Sequence, residues 1–168
     1  MEAIKVDSLT KKFGDFKAVD NISFQVEEGE IFGFLGPNGA GKSTTMMILT
    51  TLLKPTSGNA FVGGYDVISD AKKVREKIGY VQQEISVDEF LTGRENLYLH
   101  ARINQIPSNL IKSRIDDVLE LVELGEKKDK ATLTYSGGMR KRLDIANGLL
   151  SRPAVLVLDE PTVGLDIQ

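Results

Sequence analysis

The sequence predicts an α/β fold: a sheet with an antiparallel edge on its N-terminal side and a block of helices inserted between its strands. Three observations lead there. Apolar and polar positions alternate over residues 2–28; a short apolar run, a glycine-rich turn and a helical pattern then follow in that order; and beyond residue 81 the periodicity becomes helical until a second buried-strand run appears at Ala154 to Leu158. Neither an internal repeat nor a low-complexity tract is present.

Each element has its own signal. Ile4 and Val6, then Ile22, Phe24 and Val26, mark two strands separated by the turn-like Phe13-Gly14-Asp15. Glu30 to Leu35 is a short apolar run bounded by Gly29 and Gly36, and reads as a strand; Thr44 to Leu53 is helical until Pro55 and Gly58 stop it. Asn59 to Val62 is a further strand, Asp70 to Lys77 a short polar helix, and Ile78 to Val81 a buried strand. Leu91 to Ile103 and residues 108–124 are helices, the second with Ile111, Ile115, Val118, Leu119 and Val122 on one face. Ser136 to Leu150 repeats the pattern with Met139, Leu143, Ala146 and Leu150.

Composition narrows the function. The chain has 168 residues, 41% of them hydrophobic, and 21 Lys+Arg against 24 Asp+Glu give a net charge of −3. That is enough chain for one modest domain, and it offers no broad field to hold nucleic acid or an anionic membrane, so no nucleic-acid partner is expected. The lack of Cys excludes disulfides and thiolate metal sites, and a single His, His100, argues against a histidine-built metal or hydrolase site, so any metal is expected on oxygens. Met1 to Lys5 lacks the layout of a signal peptide and no apolar run approaches bilayer length, which predicts a cytoplasmic location.

Three constellations carry chemistry. Gly36-Pro37-Asn38-Gly39-Ala40-Gly41-Lys42-Ser43, followed by Thr44, matches the phosphate-binding P-loop G-x-x-x-x-G-K-[ST] between a predicted strand and a predicted helix. There the backbone N–H groups turn inward, Lys42 neutralises the outer phosphates and the Ser43 hydroxyl can ligate Mg²⁺. Val155 to Leu158 then ends in two carboxylates: Asp159 suits the Mg²⁺ shell, and Glu160 can hold the water that attacks a γ-phosphate. Finally, Ser136-Gly137-Gly138 opens an amphipathic helix and reads as a second anion-binding helix start, or more plainly as a cap with glycine turn chemistry. Arg140-Lys141-Arg142 reads as a solvated helix face and His100 as a helix-surface residue.

Together these residues resemble the nucleotide-binding subunit of an ABC (ATP-binding cassette) transporter over nearly the whole chain. Gly36 to Ser43 resembles Walker A, Val155 to Glu160 Walker B with its following glutamate, Ser136-Gly137-Gly138 the signature motif, Gln83 the Q-loop glutamine and Gly164-Leu165-Asp166 the D-loop. The resemblance implies ATP and Mg²⁺ as ligands. It places Phe13 against adenine, Gln83 in the catalytic and magnesium sets, and Lys42 and Glu160 in catalysis. It also implies a homodimer or heterodimer with a second cassette and a membrane permease contacted by the helical block and residues 84–91. The subunit would then lie peripherally on the cytoplasmic face of the cell membrane. Residues 1–83 and 151–168 would form the nucleotide-binding core of one domain spanning 1–168, and about 84–150 its helical signature subdomain.

The wording Gly-Gly-Met-Arg-Lys-Arg-Leu is most similar to the drug- and antibiotic-export branch. Departures are Tyr135 for a common Leu, Met139 for a common Gln, and Gln82 for a common Pro, which leaves the Q-loop assignment ambiguous by one position. The P-loop sheet is expected to be truncated after the D-loop, short of the family's switch histidine, for which His100 is misplaced. A soluble non-transport ABC ATPase, or a nucleotide-binding module without turnover, are the alternatives.

Overall fold

The computed structural model describes residues 1–160, so Gly164-Leu165-Asp166 lies outside the described residues. The chain divides into two compact units, 1–78 and 79–168.

In the first unit, strands β1 (Glu2–Phe13) and β2 (Phe16–Glu27) form the expected antiparallel hairpin, and β3 (Ser57–Val62) and β4 (Tyr65–Asp66) extend it in the order β2-β1-β3-β4. The alternation that buries Ile4 and Val6 would send Leu9 outward. Instead the register shifts between Val6 and Leu9, with Ser8 at φ 52°, and Leu9 returns to the core. Opposite this bulge Gly58 holds φ +82°, and a Cβ there would lie 2.3 Å from the Ser8 carbonyl oxygen, so the bulge admits only glycine beside it. Helix α1 (Lys42–Leu49) buries Thr45, Ile48 and Leu49, and α2 (Ala71–Lys77) follows Asp70 and buries Val74.

One expected strand is absent. Residues 31–35 take no strand pairing among the described residues, and Ile31 and Leu35 are 100% and 98% exposed. A strand apolar on both faces forms only where ladder partners flank it, and none of the described residues flanks this one. Its aromatics still gather, with Phe24, Phe32 and Phe34 ring centroids 5.2–5.3 Å apart in stacked and edge-on pairs.

In the second unit, β5 (Ile78–Val81) and β6 (Val155–Leu158) pair as a two-stranded parallel sheet. Between them in sequence come helices α3 (Gly93–Ile103), α4 (Ser108–Leu121) and α5 (Gly137–Leu149). Thr92 and Glu95 close a reciprocal capping box at the start of α3. The apolar stripes meet in one core containing Leu97, Ala101, Ile111, Ile115, Leu119, Leu143, Ala146 and Leu150. Helix α4 ends three residues before the sequence pattern does. Glu123 takes φ 57°, and this reversal lets both Val122 and Leu124 turn into the core, which a continuing helix would not allow.

Candidate functional site

The P-loop in the first unit is built by a helix start without a side-chain cap. Gly41 is the N-cap of α1 in the left-handed conformation, no side chain caps the helix, and no acidic residue stands in its first turn. The positive end of the helix dipole is therefore not offset by a capping or acidic side chain of the helix itself. Gly41 is required twice over: φ is +85°, and a Cβ would sit 2.2 Å from the Ala18 carbonyl oxygen of β2. The P-loop is thus pressed against the hairpin whose tip carries Phe13. Lys42 Nζ folds back onto the carbonyl oxygens of Gly36 and Pro37, at 2.8 and 2.9 Å, which sets its cation beside the exposed loop Gly36 to Ala40. Ser43 is exposed and Thr44 half-buried on the first turn. Phe13 ends β1 with 51% of its surface exposed and Lys11 Nζ 5.1 Å from its ring centre; the core does not need this ring.

The second unit holds the remaining candidates. The backbone N–H of Asp159 donates to the Val81 carbonyl at 2.9 Å, so the end of β6 is fastened to the end of β5, two residues before exposed Gln83. Both therefore lie at the carboxyl ends of paired parallel strands, where α/β sheets bind ligands. Asp159 is 8% exposed; burial, and to a smaller extent the Asp159 charge, raises the Tyr80 phenol above its ordinary pKa. Glu160 holds φ 48°, a left-handed conformation that costs a non-glycine residue about 1–2 kcal/mol. Ser136 is the N-cap of α5, its hydroxyl accepting from Met139 N at 3.2 Å, and Gly137 and Gly138 form the first turn. Tyr135 before it is buried, with its hydroxyl donating to the Lys127 carbonyl at 2.7 Å. That ring fits because Gly93 has no side chain: a Cβ there would stand 2.6 Å from the tyrosine oxygen.

Two sequence readings are overturned. Arg140-Lys141-Arg142 is not a solvated face: Lys141 is 0% exposed, Arg140 pairs with Glu89, and Arg142 donates to the Val122 carbonyl at 3.1 Å. The rule that charges face water fails here because Lys141 and Asp144, three residues apart beside the apolar stripe, are buried near each other. His100 is half-buried, not a surface residue; burial lowers its pKa below 6.5, opposed by the smaller effect of the Asp144 charge. Sequence reasoning missed Ser86, Lys141 and Asp144 as a connected group, although a Lys-x-x-Asp pair within an apolar stripe was visible.

The pattern of the ABC transporter family matches residues 19–163. The daunorubicin resistance ATP-binding protein DrrA3 of Streptomyces coeruleorubidus is 46% identical over 164 residues, covering 98% of this chain and 52% of that protein. The chain spans about half the length of this and other drug-resistance relatives that it matches. Among solved structures, CbiO1 of Clostridium perfringens, part of the ABC transporter complex CbiONQ, superposes with a TM-score of 0.88 at 33% identity, covering 98% of this chain and 68% of that one. The ATP-binding cassette MJ0796, solved as a dimer in a post-hydrolysis state with ADP and Pi, gives 0.81 at 30% identity, covering 97% and 76%. A bare glycine-capped P-loop, two carboxylates closing a parallel strand and a serine-capped signature helix thus occur in a chain that belongs to the ABC transporter family.

Proposed function

We propose that this chain binds and hydrolyses ATP as the nucleotide-binding subunit of an ABC transporter, powering export of a substrate by a partner membrane permease. The observation that carries the reading is the start of α1, where a helix N-terminus without a side-chain cap, a glycine that tolerates no side chain and the Lys42 cation make a cradle for an anion. In this reading Gly36 to Thr44 bind the phosphates and Phe13 stacks on the base. Ser43, Gln83 and Asp159 present hydroxyl, amide and carboxylate oxygens, a donor set that suits Mg²⁺. Bound Mg·ATP supplies the transferable phosphoryl group and the charge that stabilises its departure. Glu160, held in a strained backbone conformation, orients the attacking water and takes its proton.

Ser136, Gly137 and Gly138 would face the nucleotide of a second cassette, in a homodimer or heterodimer. The helical region and residues 84–91 would dock on the permease at the cytoplasmic face of the membrane; no described helix is long and apolar enough to cross a membrane. The division into a nucleotide-binding core of 1–83 with 151–168 and a signature subdomain of 84–150 belongs to the same proposal.

Glu160→Gln tests it, since the amide keeps the side chain's size and removes its basicity. Turnover is expected to fall by about 10²–10⁴-fold while ATP still binds and an ATP-bound dimer accumulates on gel filtration. Wild-type turnover in the variant would move the base elsewhere. A wild-type protein that binds ATP without any turnover would be a nucleotide-organised module, and a rate per subunit independent of protein concentration would argue against the dimer.

A further inference from the structure

The segment that follows β5 has no secondary structure of its own, and Gln82 to Ser86 are all exposed. Yet it is fastened to a single turn of α5. Lys141 Nζ donates to the carbonyl oxygens of Gln82, at 2.8 Å, and Gln83, at 3.4 Å. The Asp144 carboxylate accepts from Ser86 through Oγ at 2.6 Å and through the backbone N–H at 3.3 Å. Lys141 and Asp144 stand 3.9 Å apart with side chains 0% and 3% exposed, and the second Asp144 oxygen takes no hydrogen bond.

Stability does not account for this arrangement. A buried ion pair costs desolvation that an apolar pair of equal volume avoids, commonly with no loss of stability, and the carbonyls of an exposed segment can bond to water instead. What an apolar pair would lose is the fixed placement of residues 82–86. We infer that Lys141 and Asp144 are positioning residues that clamp residues 82–86 to α5, so that the placement of Gln83 is set by the helix whose N-terminus carries Ser136, Gly137 and Gly138. Lys141 lies three residues beyond Gly138, about 4.5 Å along the axis, so a tilt of α5 at its ligand-facing end carries Gln83 with it. The inference rests on the reading of Gln83 as a magnesium ligand given above.

The test uses the complete gene product. Lys141→Met alone leaves the Asp144 carboxylate buried without its cation and is expected to lose stability, so the decisive variant is Lys141→Met with Asp144→Leu, which removes both charges together. Hydrogen exchange without nucleotide should show the Ser86 amide exchanging much faster while the amides of α5 keep their protection. In steady-state kinetics kcat should fall by about 10²-fold, the usual consequence of misplacing a reacting group by roughly 1 Å, with KM for ATP unchanged. Lys141→Arg, which keeps a cation and its donors, should recover most of kcat. Unchanged exchange at Ser86 would overturn the clamp, and so would fast exchange with wild-type kcat. Loss of protection along α5 in the double variant, with no recovery in Lys141→Arg, would reduce the pair to a structural role. Gln83→Ala separates the two readings: if it leaves kcat intact, the assignment of Gln83 fails, whereas the exchange result still decides whether the clamp exists.

Discussion

The two helix starts that the sequence marks as anion sites are built differently. At α1 the cap is Gly41, which has no side chain to offer, and the nearest cation, Lys42, rests on loop carbonyls. At α5 the cap is Ser136, whose hydroxyl already satisfies Met139 N. The first start makes no hydrogen bond to a capping side chain, whereas the second has one first-turn donor satisfied by its cap and begins with a Gly-Gly step. Under the proposed function, such a chain would bind nucleotide at the start of α1 while the start of α5 stays folded. In the first unit a side chain should therefore matter to affinity more than to stability, and in the second the order should reverse.

The strongest challenge to that contrast is Lys42→Ala. Losing a charge-assisted contact to phosphate should weaken ATP binding by more than about 1.5 kcal/mol, to the limit of detection by calorimetry, while the thermal midpoint barely moves. Unchanged affinity in a folded variant would remove the P-loop assignment. An equally large loss of stability would make Lys42 a staple of its own loop through Gly36 and Pro37 instead of a phosphate ligand.

Ser136→Ala should behave in the opposite way. Deleting a serine N-cap costs about 1 kcal/mol of stability, and Ser136→Gly only a few tenths. Neither should change ATP affinity of the separate subunit by calorimetry, and both should weaken ATP-driven dimerisation. If Ser136→Ala is as stable as the parent in urea titration, the cap at α5 adds nothing and the two helix starts are equivalent.

Motifs whose meaning is local were legible beforehand. Gly36 to Ser43, Ser136 to Gly138 and the hairpin turn after Phe13 depend on backbone conformations that glycine and caps announce, and all three stand where the spacing put them. Readings that needed a distant partner fared worse. Glu30 to Leu35 has the composition of a buried strand, but composition does not supply a neighbour to bond with. Lys141 was misplaced for the converse reason: its partners, the Gln82 carbonyl and Asp144, come one from 59 residues away and one from the next turn, and only together do they make burial of an ammonium tolerable. The bulge at Ser8 and the reversal at Glu123 were hidden too, because each shows only as a one-residue slip in an otherwise regular pattern.

Phe13→Ala sharpens the comparison on the first unit's side. The ring is half exposed at the hairpin tip, so its removal should cost little stability but weaken ATP binding by about 0.5–1.5 kcal/mol, the worth of an aromatic stacking pair. Stacking does not read base edges, so GTP should suffer equally in a competition assay. If stability falls and affinity holds, the ring serves the fold, and the first unit's side chains are not devoted to nucleotide.

The smallest effect concerns pH, and it should be confined to the second unit because the only histidine in the chain is His100 on α3. Burial is the larger influence on it and disfavours the imidazolium, while the charge of Asp144 on α5 acts in the opposite direction. The folded-state pKa thus lies below 6.5, so as pH falls the unfolded chain takes up the proton first. Stability from this group is complete above the ordinary histidine range and declines as pH drops through 6.5 toward the lower folded value. Urea midpoints measured from about pH 8 to about pH 5 should fall on the acid side, and His100→Gln should flatten that part of the curve. Because Asp144 also holds Ser86, acid should loosen the second unit first: exchange at the Ser86 amide should rise before any amide of β1 or β2 responds. Simultaneous loosening of the hairpin and of Ser86 on mild acidification would show that the two units do not differ in this respect, and that His100 is not the group responsible.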